Sequence, residues 1–179
     1  MMVQTDIPLL EELLEGQREV LGSGRTGYRN HCFRVFNFCS TLSGANESEK
    51  DKIAIAAVFH DLGIWTHHTF DYLLPSQSLA CDYLTGSGRS SWADEVLAMI
   101  GNHHKITSYR AESGGLIEAF RRADWIDVSL GWLRFGLTRS FVRETLSVFP
   151  NAGFHRFLLA QTWRRTKTHP LSPLPMMRL

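Results

Sequence analysis

The stretch AIAAVFHDLG, residues 54–63, decides how the rest of the chain is read. An apolar run leads straight into a histidine and an aspartate, and Gly63 closes a helical segment that the periodicity starts near Ser48. Glu47, Glu49 and Asp51 at its front suit the positive end of a helix dipole. Within the helix Ile53, Ala56, Ala57 and His60 share a face, and Asp61 lies next to that face on the last turn. An imidazole and a carboxylate are thereby aimed at the interior. An ionised carboxylate left alone there costs several kcal/mol, so it must be neutralised, paired or bound to a metal.

The same feature recurs on both sides. Upstream, YRNHCFRV (residues 28–35) opens a helix over about 28–42 that stops at Gly44, with His31, Val35, Phe38 and Leu42 on one stripe. Downstream, a helix over about 91–104 carries Trp92, Val96 and Met99 in register with His103. IEAFRRADWID (residues 117–127) lies in a helix over about 116–130 whose stripe is Ile117, Phe120, Asp124 and Val128. Taken singly, a histidine on an apolar stripe reads first as a hydrogen-bonded core residue, and Asp124 could cap a neighbouring helix or pair with Arg34. Four separate helices that each point a His or an Asp inward fit a metal centre better.

The remaining elements are helical too. A helix over about 7–21, with Leu10, Leu13, Leu14 and Val20 on one side, stops at Gly22-Ser-Gly24. Another over about 75–84 starts on Pro75 and breaks at Gly86-Ser-Gly88. Two more, about 138–148 and 154–167, flank Pro150-Asn-Ala-Gly153, and an extended tail with Pro170, Pro173 and Pro175 follows. No segment alternates apolar and polar residues long enough for a strand, so the fold class is all-α.

A chain of 179 residues with 44% apolar content has material for one core, which predicts a single-domain helical bundle. Residues 1–26 form an N-terminal helix, 27–130 the His- and Asp-bearing core, and 131–179 basic helices packed on that core. The net charge of +1 argues against a nucleic-acid partner, although it sums −6 over residues 1–130 (11 basic, 17 acidic) and +7 over 131–179 (8 basic and Glu144). Cys32, Cys39 and Cys81 give no C-x-x-C pair or disulfide framework. With no signal-like N-terminus and no apolar run longer than Ile53–Phe59, the reading is a soluble, cytoplasmic protein without membrane association. A homo-oligomer is left open.

The order His31, then His60-Asp61 closing an apolar helix, then Asp124 in RRADWID resembles the HD-domain superfamily of metal-dependent phosphohydrolases over about residues 27–130. The resemblance implies a helical bundle of the HD-domain type in which His31, His60, Asp61 and Asp124 hold one divalent ion per chain. Nitrogen and oxygen ligands suit Mn, Fe, Co, Ni, Zn or Mg. It further implies hydrolysis of a phosphate ester, of a nucleotide or a small phosphorylated metabolite, by a metal-activated water. Lys105, Arg34 and Arg121 or Arg122 are the cations nearest in sequence to contact the phosphate.

Departures from the family pattern bear on the second ion that some members carry. His103 and His104 match a later histidine element, but PSQSLACDYL has Gln77 and Ser78 where a further histidine is expected, leaving His67 or His68 in the loop as substitutes. Ile64 stands where some nucleotidase members place an acid, so Asp71 or Asp127 would serve as base. ESGGLIE (residues 112–118) lacks the Gly-Tyr-Pro signature of the cyclic-dinucleotide branch. Two rival readings are a di-iron oxygenase of a small substrate and a non-catalytic binding module stabilised by metal. Trp125, Trp132, Phe135 and Phe141 read as core, and Arg156, Arg164, Arg165 and Lys167 as a solvated face.

Overall fold

The glycine and proline stop signals become chain reversals in the computed structural model, which describes residues 1–110 and 115–177. Helix α1 spans Pro8–Gly16, α2 Arg18–Leu21, α3 Arg25–Ser43, α4 Glu47–Phe59, α5 Gly63–Thr66, α6 Leu73–Gly86, α7 Ala93–Asn102, α8 Gly115–Val128, α9 Arg139–Val148 and α10 Phe154–Thr168. Among the described residues there is no strand, and no helix is long and apolar enough to cross a membrane. The start of the ESGGLIE stretch, up to residue 114, lies outside the described residues.

Helix α3 is the hub: α8 and α4 pack along it, α9 and α10 touch it, and Tyr28, His31, Phe33, Val35, Phe38 and Cys39 are all buried. A helix enclosed this way is apolar on several sides, so any polar group it carries needs a partner in the interior. Gly44 ends it at φ +66°, a left-handed cap that suits glycine. Asn46 then opens α4 with a capping box, its side chain accepting from Glu49 N at 3.0 Å while Glu49 accepts from Asn46 N at 2.8 Å. Such a cap is worth about 0.5–2 kcal/mol and fixes where the helix begins. From that start thirteen residues deliver His60 and Asp61 to the face of α3.

Gly63 places the next element. A Cβ there would lie 2.7 Å from Tyr72 O, and its N–H donates to Ser76 Oγ at 3.0 Å, so the start of α6 rests directly on the turn after Asp61. Only a residue without a side chain permits that approach.

Several sequence expectations shift. The helix expected over 7–21 breaks at Gln17 (φ −103°, ψ 11°) into α1 and α2, and Val20 is exposed rather than on the buried side. The helix expected to reach Gly63 ends at Phe59, with His60 to Leu62 forming a turn. Trp132 and Phe135 are exposed, Trp132 at 90%, and Trp125 is half-buried, while Phe141 is core. The reason is that α8 stops at Val128, and Leu130 and Gly131 at φ +54° and +79° reverse the chain, so helical spacing counted from Trp125 does not continue.

Candidate metal centre

Four buried side chains meet where α3, the end of α4 and α8 come together. His31 Nε2 lies 2.9 Å from His60 Nε2, and each lies near both carboxylates: 3.7 and 3.5 Å from Asp61 Oδ2, 3.7 and 3.9 Å from Asp124 Oδ1. Ligand atoms about 2.0–2.2 Å from a common ion would be separated by about 3.0 Å at right angles and at most about 4.2 Å across it, and these distances fall in that range.

The tautomers agree. His31 Nδ1–H donates to Asp127 Oδ2 at 2.6 Å, His60 Nδ1–H to Ala57 O at 2.9 Å and His103 Nδ1–H to Ile100 O at 2.6 Å. Each ring therefore turns its Nε2 inward, where it offers a lone pair to a cation. Two lone pairs facing at 2.9 Å repel unless a cation or a proton lies between them. Asp61 Oδ1 and His103 Nε2, 3.4 Å apart, are buried and make no hydrogen bond. Unpartnered buried polar atoms in a nitrogen and oxygen donor set fit a divalent ion.

Electrostatics favour the same state. Burial pushes His60 down to about 3, which keeps the ring neutral. Burial pushes Asp124 up to about 7, so without a neighbouring cation this carboxyl resists ionising. Burial also works against Asp61, but His60, His103 and His31 outweigh it and hold the carboxyl well below the usual range.

A family model, the HD domain, matches residues 28–128, more than half of the chain. The chain belongs to the HD domain family. Against curated proteins and solved structures it gives no match.

Beside the first group the HD centre has a second, Asp61 with His103 and His104. Asp61 turns Oδ2 to His31 and His60 but Oδ1 to His103, and Asp124 turns its other oxygen, Oδ2, to His104 Nδ1 at 3.6 Å. Gln77 does not join it, since its Nε2 donates to Leu97 O at 2.7 Å, and Ser78 is exposed.

Arg34 and Asp127, expected at the phosphate and as a base, instead form a fully buried pair. Arg34 Nε and Nη2 both donate to the Asp127 carboxylate, the latter at 2.8 Å, and Nη1 donates to Phe149 O at 2.9 Å. Burial works against the Asp127 charge, but the Arg34 guanidinium holds the carboxyl well below the usual range. Asp127 is thus an ionised anchor for His31 and does not reach a substrate. Arg121 and Arg122 both bind Glu118, at 2.7 and 2.8 Å. Arg121 Nη1 also donates to the Lys105 carbonyl at 3.1 Å, so the pair secures the segment after His104. His67, His68 and Asp71 are exposed and belong to neither group.

Sequence reasoning missed Tyr72, whose hydroxyl is hydrogen-bonded to His104 Nε2 at 2.6 Å, and Phe154, whose ring stacks on His31 at 4.3 Å between centroids. Both come from elements joined to the centre by tertiary packing alone. The phenylalanine that opens a helix after Pro150 and Gly153 was the available signal for the second. A cavity of about 430 Å³ reaches the centre at Asp61, His104 and Asp124.

Proposed function

We propose that the chain is a metal-dependent phosphohydrolase, cleaving a phosphate ester at the HD centre. The observation that carries this reading is the convergence of bare His31 and His60 Nε2 atoms with the Asp61 and Asp124 carboxylates beneath an open cavity. When bound there, a divalent ion would supply Lewis acidity and lower the pKa of a water.

The remaining work falls to the chain's own residues. Asp127, kept ionised by Arg34, orients His31 through Nδ1. Burial pushes the Tyr72 phenol well up, so it remains protonated and donates to His104 Nε2. His104 then carries its proton on Nδ1, which faces Asp124 Oδ2, so the Tyr72 hydroxyl fixes the tautomer and orientation of the ring at the cavity. Lys105, Arg34 and Arg122 do not line the cavity, so the phosphate would be bound at the centre only through the ion that its residues would hold. In the test, protein stripped with chelator and reloaded with Mn, Co, Ni, Fe, Zn or Mg would be assayed on p-nitrophenyl phosphate. His60→Ala and Asp124→Ala should lose both metal and turnover; full metal and full turnover in either would end the reading.

A second reading, a di-iron oxygenase, draws on Asp61 and Asp124 each offering one oxygen to either group. An iron content near two per chain with substrate-dependent oxygen uptake would select it over phosphate release.

A further inference from the structure

The phosphohydrolase reading says nothing of what the phosphate is attached to, and the cavity above the centre bears on that. Its volume, about 430 Å³, falls within the roughly 300–1,000 Å³ typical of small-molecule sites. The polar part of the lining is Asp61, His104 and Asp124, whereas the walls include Phe70, Tyr72, Trp125, Leu158, Met176 and Met177. No lysine or arginine lines it among the described residues.

Apart from the Trp125 indole N–H, which is buried without a partner, the polar side chains in those walls are already engaged within the protein. The Tyr72 hydroxyl is held by His104, Thr162 Oγ1 donates to Leu158 O at 3.0 Å, and His155 Nε2–H donates to Asp127 O at 3.1 Å while its Nδ1 accepts from the Asn151 amide. A sugar or a nucleobase seated here would lose water from several hydroxyls and ring nitrogens with only the Trp125 N–H offered in return, at roughly tenfold in affinity for each polar group left unpaired. The rim points the other way. Val128, Leu130, Leu159 and Leu174 surround the mouth and are exposed, Leu159 at 70% and Leu130 at 55%, so apolar surface awaits cover next to the centre.

We propose that the substrate is a phosphomonoester of an apolar alcohol, an aryl or branched alkyl group filling this cavity while the phosphate lies at the ion that Asp61 and Asp124 would hold. The phosphate half rests on the phosphohydrolase reading; the apolar half rests on the walls alone. Helix α10 and the tail, which supply Leu158, Leu159, Leu174 and Met176, lie outside residues 28–128 matched by the family, so the preference belongs to this chain's own C-terminal segment.

Binding separates the two halves. Metal-loaded protein would be titrated calorimetrically with 1-naphthylmethylphosphonate, methylphosphonate and adenosine 5′-monophosphate, and 1-naphthyl phosphate would be assayed for turnover. The naphthyl compound should bind at least about tenfold tighter than either of the others. Leu159→Gln with Leu174→Gln, both at exposed rim positions, should remove most of that preference while methylphosphonate affinity and metal content stay unchanged. Equal affinities, tighter binding of the nucleotide, or a preference indifferent to the rim variant would each overturn the proposal. A rim-dependent naphthyl preference without hydrolysis under any metal would uphold the apolar site and sink the phosphohydrolase reading instead.

Discussion

Removing the Asp127 carboxylate tests whether the buried pair behind His31 serves the metal or only the fold. Asp127 is fully buried and accepts from His31 Nδ1 at 2.6 Å and from Arg34 through two nitrogens, and Arg34 is fully buried as well. Asp127→Asn leaves the guanidinium with backbone carbonyls such as Phe149 O as its acceptors, so the expected loss is about 3–5 kcal/mol, the cost of breaking a buried pair from one side. Against a total stability of about 5–15 kcal/mol the variant should fold but unfold at much lower denaturant. Arg34→Met should cost a similar amount, because it strands the carboxylate. The double variant Arg34→Met/Asp127→Leu removes both charges, and its remaining penalty is about 1 kcal/mol each for the Phe149 carbonyl left without a donor and the His31 Nδ1–H left without an acceptor, about 2 kcal/mol together. It should therefore be more stable than either single variant. Metal affinity should behave differently: with no acceptor for Nδ1–H, His31 loses its fixed tautomer, and binding should weaken about 10–100-fold in the double variant despite its recovered stability. Urea unfolding followed by circular dichroism in chelator gives the first quantity, and competition with a chelating dye gives the second. Additive losses in the double variant, or metal binding equal to that of the parent, would refute the reasoning.

Other consequences follow from single positions. Burial opposes the charge on Glu118, but Arg121, Arg122 and the Tyr109 N–H lower its carboxyl from 4.5 to about 2. A depressed acid stabilises above its unfolded value and loses that contribution as pH falls towards the folded one, so unfolding scans should show a decline between pH 4.5 and 2 that is shallower in Glu118→Gln. Gly63→Ala places a Cβ 2.7 Å from Tyr72 O, and thermal unfolding should register a loss of about 1–3 kcal/mol from the displaced start of α6. His67→Ala with His68→Ala should leave metal stoichiometry intact and stability within about 0.5 kcal/mol, since both are exposed; lower metal content by mass spectrometry would return them to the ligand set.

What the sequence reveals about this centre, and where it falls silent, follows from what helical spacing measures. A period of 3.6 fixes direction around one axis, which is why His31, His60, His103 and Asp124 could each be assigned an inward face before any contact was known. It holds no information on which inward groups meet across axes. Arg34 lies one turn from His31, and Asp127 one turn from Asp124, so both read as neighbours of the ligands and candidates to touch a phosphate or a water. Their bond to each other arises from α3 packing against α8, and it withdraws both from the substrate. The C-terminal segment shows the same limit in another form. Its +7 charge is a sum without direction, and it suggested a solvated basic appendage. In the fold the apolar positions Leu158, Leu159, Leu174 and Met176 line the cavity over the centre, none of the described arginines there does so, and the apolar residues of a basic segment give the cavity its character.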